Sequence, residues 1–227
     1  MSAREIRPSR RAVLAAGAVS GGLVLSTARP ADASPAQVLA AKKRLNAQGY
    51  YCGATSSVVD ALTTCAVLAY QKANHMTADG ILDVQVMTAL KTPHVPVRFT
   101  TSGNAVEVDL VRQLVRIVLD GKVVATLHAS TGDGKPTELG SRTVRDVTPT
   151  GRFRLREQTE TGTRTDSLGV QFRPHDFFTG GYAIYGRDDL AAVRKASTHG
   201  GVAVLSQALT WLERKNYLPA GRLVVVG

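Results

Sequence analysis

From Ala105 onward the apolar residues of this chain recur at every second position, and that period admits only one kind of element. Ala105-Val106-Glu107-Val108-Asp109-Leu110 alternates throughout, and Gln113-Leu114-Val115-Arg116-Ile117-Val118-Leu119 alternates in part. A period of two places every second side chain on the same face of a β-strand. Asp120-Gly121 then separates Val118-Leu119 from Val123-Val124-Ala125. Between two such runs Asp-Gly signals a hairpin, because both residues tolerate the positive φ of a tight two-residue turn. Further strands are expected over 151–156, 182–185 and 222–226. An amphipathic helix is expected over 205–217, with Trp211 turned toward the core. These elements predict a mostly β unit of two packed sheets over 105–227.

The preceding region has the helical period instead. Val38, Leu39, Ala41 and Leu45 share one face of a helix that ends near Asn46-Ala47-Gln48-Gly49. Ala66, Val67, Ala69 and Tyr70 mark a second helix over 63–73, and Asp79-Gly80 reads as a turn. Asp83 is placed to cap a third, short helix through Val86, Met87 and Leu90. Residues 36–91 therefore predict a small three-helix domain. Residues 92–104, with Pro93 and Pro96, read as a linker, semi-rigid at the prolines. The fold class as a whole is α+β, a small three-helix domain followed by a mostly β, two-sheet domain.

Residues 1–33 stand apart from both. Arg4, Arg7, Arg10 and Arg11 precede an Ala/Gly-rich apolar run over 12–25, and Ala31-Asp32-Ala33 is a small-x-small cleavage pattern. Together they read as a secretory signal peptide. Ser9-Arg10-Arg11-Ala12-Val13-Leu14 adds a twin-arginine pattern, an ordinary secretory signal with two arginines being the alternative. Either implies export by a bacterium, to an extracellular or cell-wall location. No apolar run reaches the ~18 residues of a membrane span, so a membrane-embedded protein is not expected.

The formal charge is +10, and beyond residue 33 the chain still holds 23 basic and 16 acidic residues. Outside a cell that excess suits an anionic wall polymer, a basic solvated surface being the plainer alternative. The basic residues are scattered, with little aromatic interleaving, and nucleic acid is not an expected partner. The two cysteines, Cys52 and Cys65, form an isolated pair. In an oxidising compartment such a pair is expected to close a disulfide, with two buried free thiols as the alternative. Neither their spacing nor that of His75, His94, His128 and His175 is a metal motif, and Gly134-Lys135-Pro136 is not a phosphate loop. No metal and no other cofactor is expected. No cysteine follows residue 65.

Residues 36–91 resemble the small three-helix peptidoglycan-binding domain found beside many wall enzymes. The resemblance is carried by Val38, Leu39, Arg44-Leu45-Asn46, Gly49-Tyr50, Ala66-Val67-Leu68-Ala69-Tyr70-Gln71-Lys72, Asp79-Gly80-Ile81 and Thr88-Ala89-Leu90. It implies a binding or spacing role, with Asn46, Gly49, Tyr50, Tyr70, Gln71, Asp79 and Gly80 as candidate binding residues. Asp83 departs from the pattern, which usually has glycine there.

Several later segments, in order, resemble the L,D-transpeptidase (YkuD-type) domain. They are Val106-Glu107-Val108-Asp109-Leu110 with Gln113-Leu114, Ser130-Thr131-Gly132-Asp133-Gly134-Lys135, Thr148-Pro149-Thr150-Gly151-Arg152-Phe153 and Ala183-Ile184-Tyr185-Gly186. Thr198-His199-Gly200-Gly201-Val202-Ala203 and Leu218-Pro219-Ala220-Gly221 complete the series. The resemblance implies an enzyme that holds a stem-peptide acyl group as a cysteine thioester and passes it to an amine. Such chemistry needs a thiolate, a base and N–H donors for the oxyanion. At the family's base position this chain has Tyr185, at the nucleophile position Gly201, and at the Arg/Asn position Ala203. Thr198, His199 and Gly200 remain. A phenol, with an ordinary pKa near ~10, is a poor base at neutral pH, and glycine has nothing to attack with.

The expected function is therefore an exported, peptidoglycan-binding protein with a catalytically degenerate transpeptidase-like domain, scaffolding or regulating active wall enzymes. Two alternatives stay open. One is a working transpeptidase or wall hydrolase with another nucleophile, such as Ser130 or Ser167, although no Gly-x-Ser-x-Gly elbow is present. The other is an interaction protein that no longer binds the wall.

Overall fold

The computed structural model describes residues 33–94, 97–139, 141–156, 164–165, 171–172, 174–177 and 182–227. The expected export signal lies outside these residues, apart from Ala33.

Three helices come first, α1 (Pro35–Ala47), α2 (Ala61–Ala73) and α3 (Val84–Ala89). Each is started by a side chain that satisfies an N–H the helix itself leaves unpaired. Ser34 and Gln37 form a reciprocal capping box on α1, with Pro35 in its first turn. Asp60 accepts from Thr63 N at 2.7 Å and Asp83 from Val86 N at 2.8 Å. The expected capping role of Asp83 is thus met without the family's glycine.

The β region runs β1 (Ala105–Asp109), β2 (Leu114–Leu119), β3 (Lys122–His128), β4 (Pro136–Leu139), β5 (Arg142–Arg145), β6 (Gly151–Arg154), β7 (Arg164–Thr165), β8 (Gln171–Phe172), β9 (His175–Asp176) and β10 (Ala183–Arg187). It continues through α4 (Leu190–Val193), β11 (Val202–Leu205), α5 (Ser206–Arg214) and β12 (Leu223–Val226). A five-stranded sheet has the order β3-β2-β1-β12-β6, and a second has the order β11-β10-β9. β4-β5 and β7-β8 are two-stranded ribbons. The Asp120-Gly121 turn has φ 49° and 72°, as the hairpin signal required. The C-terminal strand β12 returns beside β1 in parallel register, Val106 opposite Val224.

One face of the large sheet packs on the second sheet and α5 through Val106, Val108, Ile117, Ile184, Val204 and Leu212. The alternation of β1 does not separate a dry face from a wet one: all five of its residues are buried. Glu107, Arg116 and Thr126 lie side by side across three strands, as do Asp109, Leu114 and His128. The helical unit and the segment after it cover this face. Leu114 belongs to the helical core with Tyr50, Val67 and Tyr70, while Leu62 and Cys65 of α2 belong to the sheet core. Tyr50 pairs with Thr126 on the edge strand β3, and Thr126 N donates to Gly49 O at 2.9 Å.

One expectation gains detail and another needs correction. The linker is tied to the sheet, because buried Glu107 Oε1 accepts from Phe99 N at 2.8 Å, Thr100 N at 2.6 Å and Thr100 Oγ1 at 2.7 Å. Arg116 sits over the Phe99 ring at 5.5 Å and donates to Asp109 Oδ2 at 2.6 Å. Cys52 and Cys65 are not disulfide-bonded; both are buried free thiols. Cys52 packs inside the helical core, with Sγ donating to Lys42 O at 3.4 Å, whereas Cys65 points into the sheet core. Two thiols serving different cores do not meet, whatever their spacing in sequence.

Candidate functional site

The Thr198–Gly201 loop enters β11, which runs parallel to β10 and pairs Tyr185 with Ala203. Thr198 is buried and ties the loop together. Its Oγ1 donates to Gly201 O at 2.6 Å and accepts from Gly200 N at 3.2 Å, while its own N–H donates to Thr131 O at 3.1 Å. Gly200 has φ 101°, a backbone region that side chains rarely adopt, and a Cβ there would run into the Tyr182 ring and Val147 O.

Gly201 is different. Its backbone is not left-handed, so nothing in its conformation demands glycine. The demand is spatial, because a Cβ built on Gly201 would stand 2.8 Å from Tyr185 Cε1. Real Cβ atoms essentially never come this close to another heavy atom. The phenol ring of Tyr185 thus takes the space where a side chain at 201 would begin.

His199 projects from the same loop, with 61% of its side chain exposed, and its Nδ1 lies 2.9 Å from Asp146 Oδ2. The buried Asp146 carboxylate also accepts from Thr137 Oγ1 at 2.6 Å. Asp146 was not legible in the sequence: it precedes β6 by five residues, carries no spacing signal, and meets His199 only through the fold. Ala203 is fully buried, with backbone bonds to Ser130 in both directions at 2.8 Å. Ser130 itself is buried and donates its hydroxyl to Lys195 O at 2.6 Å, the posture of a structural serine. Ser167 lies outside the described residues.

The candidate binding residues of the helical unit do not converge on one surface. Tyr50 and Tyr70 are core residues packed edge to face at 5.2 Å, and burial pushes the Tyr50 phenol up to about 12. Gln71 spends its amide on Asp79 Oδ1 at 2.7 Å and its carbonyl oxygen on Gly80 N at 2.8 Å, which fixes the turn. Asn46 bridges Gly53 O and Cys52 N, both at 3.0 Å. Gly49 has φ 82° and backs onto Val124 O, 3.0 Å from where its Cβ would be. Among the described residues no cluster of His, Cys, Asp and Glu could hold a metal ion, and no helix is long and apolar enough to cross a membrane.

The fold and its closing loop define a peptidoglycan-binding domain joined to an L,D-transpeptidase catalytic domain. Residues 34–90 match the peptidoglycan binding domain model PG_binding_1, and residues 103–226 match the YkuD model of the L,D-transpeptidase catalytic domain. The chain belongs to the L,D-transpeptidase (YkuD) family. An L,D-transpeptidase from Xylanimonas cellulosilytica is 33% identical, with a TM-score of 0.78 over 86% of this chain and 95% of that one. One from Stackebrandtia nassauensis is 17% identical, with a TM-score of 0.45 over 88% of this chain and 94% of that one. No curated protein matches the chain.

Proposed function

We propose that this chain is an exported, peptidoglycan-binding member of the family that forms no acyl-enzyme and serves at the wall as a scaffold or regulator. The observation that carries the reading is the Tyr185 ring in the space of a side chain at position 201. A nucleophile needs an attacking atom, which position 201 does not supply, and the Tyr185 ring would have to shift for a side chain to begin there. The two thiols of the chain do not substitute. Burial pushes Cys52 up to about 11 and Cys65 to about 12, so both stay protonated and unreactive. The match of residues 34–90 to a peptidoglycan binding domain supports the wall-binding half.

The test is incubation of the full chain with a carbapenem, which acylates the cysteine of active family members. An unchanged intact mass is the expected result, and a covalent adduct overturns the reading.

The His199–Asp146 pair favours a second reading, because a histidine oriented by a buried carboxylate is the arrangement of a general base. In that reading His199 activates water against a wall peptide. Altered muropeptides after incubation with purified sacculi would support it, provided that a His199→Ala variant abolished them.

A further inference from the structure

Where the helical unit meets the edge of the large sheet, an open groove runs along the seam. One part, of about 290 Å³, is bounded by Asn46, Gly49, Tyr51, Val124, Trp211 and Lys215. The next part, of about 420 Å³, shares Gly49 and Val124 with it and reaches Arg98 and Lys122. Residues from both domains are needed to build it: the α1 end and the chain after it from one side, β3 and α5 from the other.

Two features of the lining point to a ligand. Tyr51 stacks on one face of Trp211 with centroids 4.2 Å apart and planes at 9°, and Tyr217 packs against the same indole at 5.5 Å and 82°, so the pair of Tyr51 and Trp211 offers the groove an aromatic rim. Trp211 is only half-buried, and its indole N–H makes no hydrogen bond within the described residues. The second feature is charge. Arg98, Lys122 and Lys215 are exposed, and among the described residues none has an ion-pair partner and no acidic residue lines either part. An aromatic rim with a free donor suits a sugar ring, which has apolar C–H groups and hydroxyl edges. Unpaired cations along the same groove suit carboxylates carried on that sugar.

We infer that this seam groove is a composite site for an acidic peptidoglycan strand, its sugar against Trp211 and its peptide carboxylates on Lys122, Lys215 and Arg98. The inference rests on the wall-binding reading above and adds where the strand lies and that both domains hold it. It also separates binding from the Gly201 loop, which the groove lining does not include.

The probe is sacculi stripped of phosphate polymers with hydrofluoric acid, co-sedimented with the full chain. The wild type pellets saturably. The exposed charge reversals Lys122→Glu and Lys215→Glu together weaken pelleting about tenfold or more. Arg152→Glu with Arg156→Glu, the same change of charge near the opposite edge of the sheet, shifts it less than about twofold. Trp211→Phe, which keeps a stacking ring but removes the N–H, weakens it about threefold. If the wild type fails to pellet on stripped or untreated sacculi, the wall-binding reading itself is lost. If the wild type pellets and the Lys122/Lys215 variant pellets equally well, the groove is lost and that reading stands. If pelleting needs the phosphate polymers, the assigned ligand is wrong.

Discussion

The ring of Tyr185 and the missing side chain of Gly201 are complementary: Tyr185 Cε1 lies 2.8 Å from where a Cβ of residue 201 would sit. Restoring a thiol therefore costs stability. Gly201→Cys is expected to destabilise the chain by about 1–3 kcal/mol, the cost of overpacking a site with ordinary backbone. Tyr185→Ala makes room, so the double variant is less destabilised than the sum of the singles by about 1 kcal/mol or more. Urea unfolding of the four proteins measures the coupling. Additive effects would show that the ring moves aside freely and that Gly201 owes nothing to it.

The cation at the centre of the covered sheet face holds two carboxylates. Arg116 Nη2 lies 2.6 Å from Asp109 Oδ2, and Nη1 lies 3.8 Å from Glu107 Oε2, all three side chains being buried. Arg116→Met leaves Glu107 without a cation and Asp109 with Arg112 alone, 3.1 Å from Oδ2, and is expected to cost about 3–5 kcal/mol. Burial would raise the pKa of Asp109, but bonds from Arg112 N and the Arg116 guanidinium outweigh it and hold the carboxyl below its ordinary range. Its stabilisation is present above the unfolded pKa of about 4 and is lost as pH falls through the lower folded value. The deficit of the variant should therefore shrink in acid, read from chemical denaturation at pH 7 and pH 3.

The seam between the domains carries a histidine that resists protonation. Burial, reinforced by Lys72 Nζ at 3.2 Å from Nδ1, pushes His128 down to about 3. In the unfolded chain a histidine takes up a proton near pH ~6.5. Between these values the unfolded state binds the extra proton, so stability falls as pH drops below ~6.5. The expected loss from pH 7 to pH 5 is roughly 2 kcal/mol from this group. His128→Gln, which still offers Lys72 an acceptor, should remove most of it. An unchanged pH slope in the variant would place the dependence elsewhere.

Both thiols should be silent until the chain opens. Cys52 and Cys65 are buried, free and driven upward in pKa. Ellman's reagent is expected to label neither in the native protein and both after unfolding, and reductant should leave the melting temperature unchanged. A melting temperature that drops with reductant would establish the disulfide that this structure lacks.

The elements were legible where the signal was local. Asp120-Gly121, the capping role of Asp83 and the strand period from Ala105 each involve residues within a few positions of one another. Alternation carried no information on burial at Glu107, Asp109 and Arg116, which the fold covers. Period tells which residues share a face, not what covers it. The loop of the candidate site was readable as a pattern, Thr198 to Ala203, yet the partner of His199 was not, because Asp146 is 53 positions away.

By its own composition the sequence determined that no cysteine follows Cys65 and that two kinds of domain follow one another, since both are properties of residue identity and short-range period. Only the tertiary structure decided that the helical unit closes the second face of the sheet, that the segment over 97–104 is clasped by Glu107, and that Tyr185 fills the space beside Gly201. These are contacts between residues brought together by chain reversal and burial, and a one-dimensional pattern records neither the distance nor the volume on which they depend.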